Sequence, residues 1–296
     1  MNVLLAVDGS AASYRSARFL RELAHEETLL VSVLTVVGLP KTSLNDSIDH
    51  SYKQFVAEAH KHDEQVYASI AKSLEGSNTI VNHMNKQGHV GHCIVAAAEE
   101  IDAKLIVVGA RGRTNNDNVL LGSVSEYVAM HAATSVLVIR PEIEANRHRA
   151  RSQLTIAFDD STGSRAAIRQ FSAFAWVKNT DVQVVSVVPI HSIHRDGMPS
   201  VDHPNSPSVL KEVAVFAEWA ANQLRSNGIR TTIDIEESKQ IGMKITGVAN
   251  LNHSELIVLG AQGQSNVARV LLGSVAQFVL RHFDHSVWIV RDESDV

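Results

Sequence analysis

Two glycine-rich loops hold the residue types in this chain best suited to chemistry. Gly109, Gly112 and the pair Gly122-Ser123 form the pattern G-x2-G-x9-G-S, and Gly260, Gly263 and Gly273-Ser274 repeat it at the same spacing. A glycine directly after a strand lets the chain turn with positive φ and lets a ligand approach the backbone without a Cβ in the way. A helix opening on Gly-Ser presents unpaired amides at the positive end of its dipole, a natural seat for an anion. The Ser123 or Ser274 hydroxyl can add a hydrogen bond. Phosphate is the anion such a loop suits. The plainer alternative is that the glycines only shape a β–α connection and the serines only cap the following helices. The common phosphate loops are absent: the chain has no G-x4-G-K-[ST], and no G-x-G-x-x-G follows a strand.

Other reactive residue types point less far. Asp8 with Ser10, and Asp159 with Ser161, lack a positioned base, so helix capping accounts for the serines and no catalytic residue is expected. Fifteen histidines include the close pairs His60/His62, His89/His92, His191/His194 and His282/His285. Pairs three apart on a helix can share a face, but none comes with cysteines or an H-E-x-x-H pattern, so no metal site is expected. His131 and His282 share one repeat position, late in a helix, where imidazole complements the helix C-terminus. The single cysteine, Cys93, reads as a buried structural residue in a reducing compartment. Trp176, Trp219 and Trp288 read as core.

The elements that must position the loops follow from an internal repeat at an offset of 151. Leu105–Arg140 and Leu256–Arg291 match at eighteen of 36 positions without a gap. The same offset carries Ala6, Asp8, Ser10 and Ser13 onto Ala157, Asp159, Ser161 and Ser164. It also sets Gly9 against Asp160 and Gly88 against Lys239. Two equal domains are expected, residues 1–141 and 152–296, joined by a polar linker at 142–151. Within the first, apolar or β-branched runs at Asn2–Val7, Thr28–Val37, Thr79–Asn85, Lys104–Val108 and Val136–Ile139 predict strands. Helical spacing predicts helices over Ala11–His25, His50–Leu74, Val90–Ile101 and Val119–His131. Strands apolar throughout, alternating with helices, indicate a mainly parallel five-stranded sheet covered on both faces, a doubly wound α/β domain made twice. A proline-bearing stretch from Pro189 to Pro207 predicts an ordered or semi-ordered flap in the second half.

Bulk properties narrow the function classes. The chain has 296 residues, 45 % hydrophobic and 20 % charged, with net charge -5 and a pI near 6.3. That profile is globular, and it lacks the basic footprint of a nucleic-acid binder. No apolar run approaches the roughly 20 residues that span a bilayer, and the N-terminus lacks the basic start of a signal peptide. A cytoplasmic location without membrane or nucleic-acid partners is expected.

The G-x2-G-x9-G-S loops, the early Val-Asp-Gly-Ser, the Leu-Ile-Val-Val-Gly strand and the closing Val-Leu-Val-Ile-Arg together resemble the universal stress protein family, here in tandem over nearly the whole chain. The resemblance implies a flavodoxin-like or adenine-nucleotide-hydrolase-like fold holding ATP without fast turnover, with magnesium accompanying the nucleotide. Ala6, Asp8 and Val36 would then fall on the adenine side, and Val108 and Gly109 would face ribose and phosphate. Gly112, Gly122, Ser123 and Val124 would hold the phosphates. In the second half these roles pass to Ala157, Asp159 and Val187, then to Leu259, Gly260, Gly263, Gly273, Ser274 and Val275.

Arg111 and Arg113 could screen a triphosphate in the first half, partly opposed by Asp117, whereas the second has Gln262 and Gln264, with Arg269 farther along. The first half is therefore expected to bind nucleotide more tightly. The implied function is a stress-response regulator or sensor acting through a protein partner. A slow ATPase and a nucleotide-independent scaffold are the rivals. The short apolar strands Val136–Ile139 and Val287–Val290 are edges that proteins cover. An intramolecular pseudo-dimer through them is expected, and a homodimer of the chain is consistent with the resemblance.

Overall fold

Valine, leucine and isoleucine fill the inner strands of each half because those strands are packed on both faces, which leaves no side for polar residues. The computed structural model describes residues 1–22, 28–38, 49–112, 120–140, 151–173, 180–190, 207–263 and 272–292. Two compact units divide the chain, Met1–Pro141 and Glu142–Val296. The linker at 142–150, the flap at 191–206, His191, His194 and Trp176 lie outside the described residues.

The first unit runs β1 (Asn2–Ala6), α1 (Ala11–Glu22), β2 (Leu29–Gly38), α2 (Asp49–Leu74), β3 (Thr79–Gly88), α3 (Val90–Glu100), β4 (Leu105–Gly109), α4 (Ser123–His131) and β5 (Ser135–Ile139). Its strands lie in the order β3-β2-β1-β4-β5, all parallel. The second unit repeats the plan with β6 (Ser152–Ala157), α5 (Thr162–Ala173), β7 (Thr180–Pro189), α6 (Pro207–Ser226), β8 (Arg230–Ser238), α7 (Ile241–Leu251), β9 (Leu256–Gly260), α8 (Ser274–His282) and β10 (Ser286–Val290). Its order is β8-β7-β6-β9-β10, again parallel. In each unit the first two helices pack together, as do the last two. This is the doubly wound α/β architecture of flavodoxin-like and adenine-nucleotide-hydrolase-like domains, in tandem.

Val3, Leu4, Leu5, Ile106 and Val107 form the centre of the first sheet and Ile156 and Val258 that of the second, all fully buried, with Trp288 on β10 equally buried. Each such side chain contributes on the order of 1.5–3 kcal/mol by leaving water. Two expectations about elements need correction. β3 runs three residues beyond Asn85 and its residues are half-buried or exposed instead of apolar throughout; it ends the strand order, paired with β2, with α2 and α3 both packed on it. α4 starts at Ser123, not Val119: the Gly122 N–H bonds the Ala110 carbonyl at 2.7 Å, and Leu120–Gly122 stay extended or bent.

Strand registers also correct one repeat pair. Gly88 lies opposite Gly38, and Ser238 lies opposite Pro189, so Ser238 takes the place of Gly88. Lys239 is one extra residue between β8 and α7. Cys93 is half-buried rather than buried, and so is Trp219. The two late-helix histidines behave alike. Nδ1 of His131 and of His282 each donates to the carbonyl four residues back, at 2.8 Å, which requires a proton on that nitrogen.

Under α2 the first unit buries a polar network that the strand pattern concealed. The Asn85 amide donates to Asp63 Oδ2 at 3.1 Å and to Thr35 Oγ1 at 3.0 Å, and Thr35 Oγ1 meets His83 Nε2 at 2.9 Å. The His83 ring stacks on Tyr67 with centroids 4.4 Å apart. Burial lowers the His83 pKa below its ordinary 6.5, against the raising influence of Asp63 and Glu64. Between the folded and unfolded values the unfolded chain binds more protons, so stability drops as pH falls through 6.5 and is fully lost from this source below the folded value. Thermal melts at pH 7.5 and 5.5 should therefore show a larger loss for the wild type than for His83→Gln, and equal losses would contradict this reading.

Candidate functional site

The strand order reverses between β1 and β4, so the connections leaving their carboxyl ends diverge and open a crevice. Ala6 lies opposite Val108 across that pair, and Ile156 lies opposite Val258 in the second unit. The β1–α1 turn is built by Asp8. Its Oδ1 accepts from the Ser10 N–H at 2.9 Å and from Ser13 Oγ at 2.8 Å, while the Asp8 N–H donates to Ser13 Oγ at 2.9 Å. Gly9 completes the turn at φ 79°. The second unit repeats the knot: Ser161 N–H and Oγ donate to Asp159 Oδ1 at 3.2 and 2.5 Å. Asp160 holds the left-handed φ of 63° there, tied by an ion pair to Arg165.

Why the loop residues are glycines becomes clear from space, not from φ. Gly109, Gly112, Gly122 and their repeats are absent from the positive-φ glycines among the described residues, which corrects the expectation of a left-handed turn. A Cβ on Gly109 would lie 2.5 Å from the Ala12 methyl. On Gly260 it would lie 2.5 Å from the Gly163 carbonyl carbon and 2.8 Å from the Ser164 nitrogen. On Gly112 it would meet Asp8 Oδ2 at 2.6 Å, and on Gly263 it would meet Asp159 Oδ2 at 2.7 Å. Each aspartate carboxylate is thus pressed against the second glycine of its loop.

The loop base is closed by one carbonyl. Ala110 O accepts from the Gly122 N–H at 2.7 Å and from Ser125 Oγ at 2.8 Å. Ala261 O accepts only the first of these, from Gly273 at 2.8 Å, because Ala276 replaces the serine. Gly122 and Gly273 are themselves the N-caps, and neither has a side-chain cap bond. That overturns the capping role for Ser123 and Ser274, which sit exposed in the first turn. The amides of the first turn have no intrahelical acceptor, so they point a partial positive charge out of the loop.

The structure brings Ala6, Asp8, Val108, Gly109, Gly112, Gly122, Ser123 and Val124 to one end of the first sheet, and Ala157, Asp159, Leu259, Gly260, Gly263, Gly273, Ser274 and Val275 to that of the second. Val36 and Val187 lie near the same ends, half-buried, opposite Lys86 and Glu236. Val108 and Leu259 are 3 % exposed, so only their backbone can meet a ligand. Arg111 and Gln262 are half-buried at corresponding places, whereas Arg113, Asp117, Gln264 and Arg269 lie outside the described residues. The arrangement can seat an anion on backbone amides beside a carboxylate able to accept from an amino or hydroxyl group. Among the described residues no group of three or more His, Cys, Asp or Glu side chains could hold a metal ion, and no helix is long and apolar enough to cross a membrane.

The family model described as Universal stress protein family matches residues 1–140 and 151–291. A universal stress protein of Mycobacterium tuberculosis is 25 % identical over 193 residues, covering 64 % of this chain and 62 % of that protein. The match thus spans less than two thirds of that relative's length. One from Mycolicibacterium smegmatis is 23 % identical over 98 % of this chain and 96 % of its own. The crystal structure of a universal stress protein from Archaeoglobus fulgidus shares the fold, with a TM-score of 0.66 at 22 % identity over 100 % of this chain and 97 % of that one.

Proposed function

The chain belongs to the universal stress protein family, and from that premise we propose that it binds an adenine nucleotide, ATP, at its glycine loops and acts as a stress-response regulator. The observation that carries the reading is the pairing of an uncapped helix start with a carboxylate packed on the second loop glycine. At Gly112 the place a Cβ would take is held by Asp8 Oδ2, so the carboxylate lies directly against the bare loop backbone where a ligand would meet both. The amides of Ser123 and Val124 suit phosphate oxygens, and Asp8 suits the amino or hydroxyl groups of the nucleoside. Magnesium would arrive with the phosphates, since no group of three or more His, Cys, Asp or Glu among the described residues could hold it.

The first unit is the tighter site in this reading, because Arg111 stands where the second unit has Gln262. Nucleotide occupancy would bias which protein partner the chain engages in the cytosol, and self-association of the chain belongs to the same proposal. Thermal denaturation with ATP and magnesium tests it. A nucleotide that binds only the folded chain raises the melting temperature, by about 2.7 kcal/mol of stability at a hundred times its Kd. An unchanged melting temperature would favour a nucleotide-independent scaffold, and multiple turnovers per minute abolished by Asp8→Ala would favour a slow ATPase.

A further inference from the structure

Away from both glycine loops, a cavity of about 390 Å³ opens between α5 and α6 of the second unit, a volume within the range of small-molecule sites. Its lining includes Arg165, Arg169, Ser172, Trp219 and Gln223, and among the described residues no carboxylate. Arg165 and Arg169 stand one turn apart on α5. The Arg165 guanidinium lies 4.5 Å over the Trp219 ring and pairs with Asp160, and Arg169 pairs with Asp292 at 3.0 Å. Each guanidinium has five N–H donors, so one ion pair uses only part of its fork, and both side chains line the cavity. The Ser172 hydroxyl is buried with no hydrogen-bond partner among the described residues. A hydroxyl left so costs roughly 1–3 kcal/mol. The described wall therefore combines two cations and a hydroxyl with the neutral amides of Gln223 and Asn227, and sets an indole under a guanidinium beside the buried Ile168.

We propose that this cavity binds a small aromatic carboxylate. The carboxylate takes hydrogen bonds from Ser172 Oγ and from Arg169, for which a guanidinium fork is the matched donor. The ring lies along the Arg165–Trp219 stack, since guanidinium planes pack on aromatic faces. The first unit does not repeat this residue set: Tyr14 and Arg21 occupy the repeat positions of Arg165 and Ser172.

The test uses the full chain, without nucleotide, labelled with 15N-tryptophan. Three indole N–H signals are available, and Trp219→Phe assigns the one that matters. Benzoate should shift the Trp219 signal saturably while benzyl alcohol, which lacks the charge, does not. Arg169→Gln, at an exposed position that leaves the fold intact, and Ser172→Ala should each weaken benzoate by roughly tenfold. An unmoved Trp219 signal, an equal response to benzyl alcohol, or unchanged affinity in either variant overturns the proposal.

Discussion

Replacing Gly260 with alanine should destabilise the second unit by about 3 kcal/mol, at the upper end of what overpacking costs. The added methyl would sit 2.5 Å from the Gly163 carbonyl carbon and 2.8 Å from the Ser164 nitrogen. Those are backbone atoms of the first turn of α5, so no side chain can swing aside. The helix must move off the sheet, and with it Ser164 and the hydroxyl network around Asp159. Gly247, exposed in α7 with nothing within 4 Å of its Cβ position, is the control. Alanine there should stabilise by roughly 0.5–1 kcal/mol through helix propensity alone. All three tryptophans lie in the second half, so their fluorescence in a urea titration reports this unit separately. Similar midpoints for Gly260→Ala and Gly247→Ala would show that the strand–helix contact is looser than described.

The architecture and the location of the candidate site were legible because both rest on periodicity. Continuous apolar strands such as Leu105–Val108 require helices on both faces, and the 151-residue offset made the division of the chain visible. Parallel strands in a doubly wound order then bring the ends of β1 and β4 side by side, so Ala6, Asp8, Gly109 and Gly112 converge without any further information. The reason for each glycine was not legible. Residue type suggests positive φ, but contact decides it: Gly109 faces Ala12, and Gly112 faces Asp8. The N-cap was misplaced by one residue because Gly122 carries no side chain to announce it. The Asp63–Asn85–Thr35–His83 network was hidden for a different reason. Its members lie on three elements and meet only when α2 packs on β2 and β3. Trp219 reads as core in the sequence, yet it is half-buried at a cavity wall, under the Arg165 guanidinium.

Nucleotide binding by the glycine loops through bare backbone at a helix start is tested most directly by calorimetric titration of the full chain with ATP and magnesium. The decisive variants are Gly122→Asp and Gly273→Asp. Gly122 has φ -79° and ψ 156°, an ordinary extended conformation that aspartate adopts freely. A Cβ there would lie 3.2 Å from the Ala110 carbonyl oxygen, and on Gly273 3.1 Å from that of Ala261, tight contacts that the loop must ease by a few tenths of an ångström. Aspartate is a favoured N-cap, which offsets that cost, and a thermal melt of each variant checks that the fold is kept. Its carboxylate would take the first-turn amides for itself and set a negative charge where the phosphates would lie. A like charge about 4 Å away is worth roughly 4 kcal/mol near a protein surface, so at least a hundredfold loss of affinity is expected. With Arg111 confined to the first unit, Gly273→Asp should leave the main binding heat nearly intact. Saturable ATP binding to the wild type, lost in Gly122→Asp and kept in Gly273→Asp, is the predicted result. Equal loss in the two variants would contradict the inequality of the halves, and no binding heat in the wild type would contradict nucleotide binding itself.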